Sequence, residues 1–143
     1  MSLIAKTLSA ILTSCAAMAA VPAVAQDAPA TATVRPAGYK PRTGDATVGA
    51  KLFSDKRLST NGMSCASCHA NNAAFANTFA QPYPHKVAMA NDQLGLKTIH
   101  LDEMVQACLV MPMEAKPLPW NSKELADLTA YMAKVQKTFK PAQ

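Results

Sequence analysis

The sequence predicts a single, mainly α-helical domain. The chain has 143 residues, of which 50% are hydrophobic and 16% are charged, so it can bury one compact core. Apolar residues recur at helical spacing in three separate segments, and no segment shows the alternation of a half-buried strand. With ten prolines, five glycines and 6% aromatic residues, the composition does not fit a collagen or a coiled coil.

Residues 1–25 predict a secretory signal peptide. A single lysine precedes an apolar stretch over residues 8–21, and Ala23-Val24-Ala25 supplies small residues suited to cleavage. A membrane anchor is one alternative, but the stretch is short for a bilayer span. Lipoprotein processing at Cys15 is another, but few apolar residues separate the lysine from that cysteine. We therefore expect a mature chain of residues 26–143 that is exported to the periplasm and has no membrane span.

The net charge restricts the partners. Lysine and arginine number 14 against 9 aspartates and glutamates, which gives a formal net charge of +5 and a pI near 9.1. A basic chain of this kind suits nucleic acid or an acidic protein. Since an exported protein does not meet nucleic acid, we expect redox partner proteins, for which an acidic surface is one alternative.

Residues 26–44 predict a flexible or loosely packed leader. They consist largely of alanine, proline, threonine and arginine, and they show neither the helical nor the strand period. Pro29, Pro36 and Pro41 are expected to break any helix in this stretch. The folded domain is therefore predicted over residues 45–143.

The first helix of the domain is predicted over residues 46–58. Asp45 or Thr47 can serve as its N-cap. Gly49 lies on the same side as the apolar face and leaves a smooth notch there. That face carries Val48, Leu52 and Phe53.

Two more helices are predicted in the C-terminal half. One starts near Thr98, ends before Pro112, and has apolar residues at i, i+3, i+4 and i+7, namely Leu101, Met104, Val105 and Cys108. The other follows a polar cap at Asn121, with Glu124 three residues later. Its apolar face carries Leu125, Leu128, Met132 and Val135, with Tyr131 beside it.

The segment Cys65-Ala66-Ser67-Cys68-His69 carries the chemistry. C-x-x-C-H is the pattern for covalent haem attachment, in which both thiols form thioethers and the histidine binds iron. Zinc sites and thioredoxin-like sites also use C-x-x-C. A zinc site needs a second ligand pair and a thioredoxin site needs a βαβ context, and the sequence shows neither. We expect one covalent haem c on Cys65 and Cys68, with His69 as the proximal iron ligand.

The chain resembles the class I c-type cytochromes. The resemblance rests on Gly49 and Phe53 in the first helix, then CASCH, a Met111-Pro112 pair, and the closing sequence Glu-Leu-Ala-Asp-Leu-Thr-Ala-Tyr. It implies an all-α, cytochrome c-like fold wrapped around one covalently bound haem. In that fold, the notch at Gly49 receives an aromatic side chain such as Tyr131.

The sixth ligand of the iron has several candidates. Met111 precedes a proline, as the distal methionine often does in this family, and Met113 lies two residues further on. His85 lies in a proline-rich stretch that can fold over the haem. The weaker candidates are Met89 and His100.

Cys108 is a further candidate. After export three cysteines remain, and the haem uses two of them, which leaves Cys108 as an unpaired thiol in an oxidising compartment. It is either a buried core residue, as its place in the apolar stripe permits, or a thiolate ligand of the iron.

The stretch from Leu101 to Leu125 is similar to the C-terminal half of haem domains in thiosulfate dehydrogenases and in a cytochrome of the sulfur-oxidation system. In those domains the cysteine that matches Cys108 is an axial ligand. Two differences are visible: Met104 stands where the sulfur-oxidation cytochrome has an arginine, and the dehydrogenases have two C-x-x-C-H segments where this chain has one.

These features predict an exported monohaem c-type cytochrome that transfers single electrons between periplasmic redox partners. A rim of lysine and arginine side chains can steer docking onto an acidic partner; the alternative is that these charges are simply scattered over a solvated surface. The alternatives are a haem-thiolate enzyme, or one component of such an enzyme, that oxidises an inorganic sulfur compound such as thiosulfate, and a haem-based sensor with an open sixth position. A basic pocket beside Cys108 would favour the enzyme, since a substrate anion needs one. The predicted rim consists of Lys51, Lys56, Arg57, Lys86, Lys97, Lys116 and Lys123.

Overall fold

The computed structural model describes residues 28–141, so the predicted signal peptide and Cys15 lie outside the described residues. The part of the chain that is described contains no strand, and its one isolated antiparallel bridge joins His85 to Ile99. The predicted all-α class is confirmed. The helices are α1 (Ala28–Thr33), α2 (Ala46–Phe53), α3 (Cys65–His69), α4 (Ala88–Leu94), α5 (Leu101–Val110) and α6 (Lys123–Thr138), with 3-10 turns at Lys56–Leu58, Ala70–Asn72 and Asn77–Ala80.

Helices α2 and α6 are in direct backbone contact, and two glycines make this possible. A Cβ atom at Gly44 would overlap the backbone carbonyl of Ala126, and one at Gly49 would overlap the carbonyl of Asp127. The same added atom at Gly49 would lie 2.7 Å from Cβ of Tyr131. The notch predicted at Gly49 therefore exists and receives Tyr131, as expected.

A buried carboxylate connects the same two helices. Asp127 of α6 accepts a hydrogen bond from the backbone N–H of Asp45 at 2.6 Å and forms an ion pair with Lys123 at 2.8 Å. These donors hold the pKa of the Asp127 carboxyl below its usual value. Asp45 is also the N-cap of α2, because its carboxylate accepts from the Thr47 N–H at 2.7 Å.

Helix α2 is shorter than predicted, since it ends at Phe53 and not at Leu58. Asp55 starts a new turn by accepting from the backbone N–H of Arg57 at 2.9 Å, so its side chain competes with continuation of the helix. The start of α6 also differs from the prediction: its N-cap is Ser122, whose hydroxyl accepts from the Leu125 N–H at 3.2 Å, and not Asn121.

Among residues 28–141, buried apolar residues form two clusters. Val48 does not join them, although it was predicted on the buried face, because it is 38% exposed while the neighbouring Gly49 faces α6. The main cluster is formed by Phe53, Phe79, Val105, Leu109, Met113, Leu125, Leu128 and Met132. The smaller cluster is formed by Ala90, Leu94, Ile99 and Ala107.

The segment predicted as a leader without helix contains α1, so that expectation is wrong for Ala28–Thr33. Pro29 is in the first turn, where a proline is tolerated because its missing N–H has no helical partner to lose. Helix α1 packs against α5, and Thr33 is fully buried. Within residues 28–141 no helix has the length and apolarity required to cross a bilayer.

Substitution of Gly49 tests the contact between α2 and α6. Helix propensity alone predicts that Gly49→Ala stabilises the protein by about 1 kcal/mol. The overlap with the Asp127 carbonyl predicts the opposite, a loss of about 1–3 kcal/mol or more. Denaturant unfolding measures the sign, with the exposed Thr47→Ala in the same helix as the control, expected within about 0.5 kcal/mol of the parent. A stabilised Gly49→Ala variant would contradict the contact.

Candidate cofactor site

A cavity of about 480 Å³ lies in the centre of the domain. Its wall is mostly aliphatic, aromatic and sulfur-containing, and it shares most of the main core cluster. The polar side chains on it are Ser64, Thr78, Tyr83 and His69. The lining residues are Phe53, Met63, Ser64, Cys65, Cys68, His69, Ala74, Phe75, Ala76, Thr78, Phe79, Tyr83, Val87, Ala88, Met89, Leu101, Met104, Val105, Cys108, Pro112, Met113, Leu128 and Met132.

Helix α3 supplies one side of the cavity. It places Cys65, Cys68 and His69 on the wall, and neither cysteine is in a disulfide. The Ser64 N–H donates to Oγ of Ser67 at 3.0 Å, which fixes the entry of this short helix. Burial raises the pKa of the Cys65 thiol, while Cys68 is exposed at the edge of the cavity.

The orientation of His69 is fixed by its own loop. Its Nδ1 atom lies 3.1 Å from the carbonyl oxygen of Ala73. Because a carbonyl only accepts, the neutral ring carries its proton on Nδ1 and leaves the lone pair of Nε2 available for a metal. The loop reaches this position through left-handed backbone at Asn71, Asn72 and Ala74, with φ of 54°, 62° and 54°. Such angles suit asparagine, but for alanine they cost about 1–2 kcal/mol.

Helix α5 supplies another part of the wall with its predicted stripe of Leu101, Met104, Val105 and Cys108. Cys108 is not in a disulfide. Burial raises the pKa of its thiol to about 12. Burial also raises the pKa of Tyr83 to about 12, and the nearby Cys108 adds to that shift.

The two methionines after α5 lie in different places. Met113 is 2% exposed, lines the cavity, and has its sulfur 3.9 Å from the sulfur of Cys65. It is turned inward by a tight connection in which its N–H donates to the Cys108 carbonyl at 3.3 Å. Met111 is at the C-terminal end of α5 and packs against the smaller core cluster, away from the cavity wall.

Of the other candidate ligands, one lies on the cavity wall and two lie elsewhere in the domain. Met89 lines the cavity. His85 is buried behind it, with its ring 4.2 Å from that of Tyr83 and its Nδ1 atom 3.2 Å from the Pro82 carbonyl. His100 is the N-cap residue of α5.

Several wall residues had not been identified from the sequence as cofactor contacts. Phe75 is one of them: its ring stacks on His69 at 4.1 Å and on Phe79 at 4.2 Å. Met104 belongs to the apolar stripe of α5, and that periodicity is the sequence signal that could have placed it on the cavity wall. The segment that carries Phe75 and Tyr83 has no clear period, so nothing in it indicated which side chains face inward.

The cavity and its donor groups fit a covalently bound haem. Its volume lies within the range of roughly 300–1,000 Å³ that small-molecule and cofactor sites occupy. Two thiols outside any disulfide stand on its wall, followed directly by a histidine whose Nε2 is available. A largely apolar lining suits a porphyrin, since it removes the hydrophobic ring from water.

The helical fold and this site define a class I c-type cytochrome. A family model described as "SoxA/TsdA, cytochrome c domain" matches residues 48–140. The chain belongs to this family. It is therefore a haem electron-transfer protein with covalently bound haem c. No curated protein and no solved structure matches the chain.

Proposed function

We propose that the protein binds one haem c through thioethers from Cys65 and Cys68, and that His69 binds the iron through Nε2. The hydrogen bond from Nδ1 of His69 to the Ala73 carbonyl supports this role, because it fixes the tautomer and the direction of the ring. The bound haem supplies the one-electron chemistry, and the surrounding side chains set its potential.

We propose Cys108 as the sixth ligand. It is on the cavity wall, outside any disulfide, on a helix whose neighbouring turn also faces the cavity. Met113 is the alternative, but its sulfur is already in contact with Cys65, the side chain proposed to attach to the porphyrin edge. Met111 ranks below both of them, since it packs away from the wall.

The function that the site supports best is that of an exported electron carrier between periplasmic proteins. The lining of the cavity carries this proposal. An anionic substrate would have to lose its hydration among methionine, phenylalanine and alanine side chains, which is costly unless a cation pairs with it. Met104 occupies the place where the sulfur-oxidising relatives have an arginine. A carrier requires only that the edge of the haem be accessible to a partner.

The edge of the cavity is suited to such contact. The wall residues that are exposed to solvent are small or apolar, and lysines lie on the surface of the same domain. Two of the predicted basic residues are in ion pairs, Arg57 with Asp55 and Lys123 with Asp127. The exposed wall residues are Cys68, Ala74, Ala76, Ala88 and Pro112.

The second candidate function is a haem-thiolate enzyme that oxidises a sulfur compound such as thiosulfate. The observation in its favour is the presence of Cys108 on the wall, in a member of the SoxA/TsdA family. The apolar environment of Met104 is against it.

Intact mass tests the attachment. Protein from an exporting host should have the mass of residues 26–143 plus one haem that acidic organic solvent does not extract, because thioethers are covalent. The double variant Cys65→Ala/Cys68→Ala should lose this haem, while Cys108→Ala, the matched cysteine control, should keep it. Haem that can be extracted from the parent protein would refute the assignment.

Ligand variants test Cys108. A thiolate stabilises ferric iron over ferrous iron, so Cys108→Ala should change the ferric spectrum and raise the reduction potential. Met111→Ala removes a sulfur that lies off the wall and should leave both unchanged. If Met113→Ala changes the spectrum and Cys108→Ala does not, methionine is the ligand and the proposal is wrong.

Reaction with thiosulfate distinguishes the two functions. The ferric protein alone should stay ferric when thiosulfate is added. The reduced protein should be oxidised rapidly by a second, acidic cytochrome, at a rate that falls as salt is raised if lysines steer docking. Turnover with thiosulfate that disappears in Cys108→Ala would establish the enzyme instead.

A further inference from the structure

The first turn of α5 carries two buried carboxylates. Asp102 is 2% exposed and Glu103 is 7% exposed. Glu103 accepts from the backbone N–H of His100 at 2.8 Å, which closes the start of the helix. Carboxylates buried this deeply are stable only with charged or hydrogen-bonding partners.

A partner for both comes from the leader, about 67 residues earlier in the chain. Arg35 lies with two guanidinium nitrogens 2.9–3.1 Å from the carboxylate oxygens of Asp102. The backbone N–H of the same residue donates to Glu103 at 2.9 Å. A fork of this kind fixes direction as well as distance.

An aromatic side chain lies beside the ion pair. The Arg35 guanidinium lies 5.6 Å from the centre of the Tyr39 ring, and Tyr39 packs edge-on against Trp120 at 5.1 Å. The Asp102 side chain is 2% exposed and the Arg35 side chain 27%, so the pair is partly shielded from water, which strengthens the attraction between the opposite charges.

The helix that carries the carboxylates paired with Arg35 also forms part of the cavity wall. Asp102 and Glu103 follow directly after the wall residue Leu101. Two more wall residues, Met104 and Cys108, lie about one and two turns after Leu101. The backbone hydrogen bonds of this ten-residue helix connect its first turn to the turn that carries Cys108, so we expect a rotation or shift of the first turn to displace Cys108. The position of the cavity wall therefore depends on what holds that first turn.

We propose that Arg35 is a positioning residue for the haem site: from the leader, it fixes the first turn of α5 and thereby the side chains that this helix presents to the iron. The leader is then part of the functional domain, although it precedes the residues that match the family model. The effect on the sixth ligand rests on the function proposed above.

Arg35→Met and Arg35→Lys test the proposal in the full, haem-bearing protein. The lysine variant keeps the positive charge but loses the fork, so a change in its ferric spectrum or reduction potential reflects geometry and not the lost charge. We expect both variants to shift the potential and the ferric spectrum. Arg57→Met is the matched control: it also removes an arginine paired with an aspartate, but on the surface, and should shift neither.

Combination with Cys108→Ala locates the effect. If Arg35 acts through the ligand on α5, the potential shift caused by Arg35→Lys should shrink when Cys108 is absent. The Cys108→Ala single variant tests whether Cys108 is the ligand. Failure of the ligand proposal is therefore distinguished from failure of the proposal for Arg35. Wild-type spectra and potentials in both Arg35 variants, with only a loss of stability in denaturant, would show that the ion pair is merely structural and would overturn the inference.

Discussion

The hydrophobic interior of this protein is arranged around a cavity, and the side chains that form its main core also form the wall of that cavity. All members of the main cluster except Leu109 and Leu125 line it. A chain of this length has limited apolar surface to bury. A haem in the cavity would complete the interior. Its thioethers would keep it on the unfolded chain as well, so it would stabilise the folded state through the apolar contacts that form only on folding.

Backbone contacts fix the elements that form the wall of the cavity. Gly44 and Gly49 bring α2 and α6 into contact, and Asp127 connects the two helices through the Asp45 N–H. On the other side, the left-handed backbone at Ala74 turns the chain so that the Ala73 carbonyl meets His69. Strain of this kind persists only where the surroundings fix it.

Much of this was predictable from local patterns. The stripe on α5, the notch at Gly49 and the all-α class follow from periodicity and residue size, and all three are confirmed. The features that were missed depend on long-range contacts. Nothing near Arg35 in the sequence indicates a partner at Asp102, so prolines alone suggested a leader without helix. Likewise, neighbouring residues do not show which of Asn121 and Ser122 will cap α6, because both can.

The ion pair between Arg35 and Asp102 also affects where the functional unit begins. Periodicity places the domain at residues 45–143, and the family model starts at residue 48. A chain cut at either point would lose the Arg35 guanidinium that pairs with Asp102, and also helix α1, which packs against α5. The first turn of α5 would then lose the contacts that fix it on this side, and its two carboxylates would be left to water. If Arg35 positions α5 as proposed, the functional unit begins before residue 35 and not at residue 45.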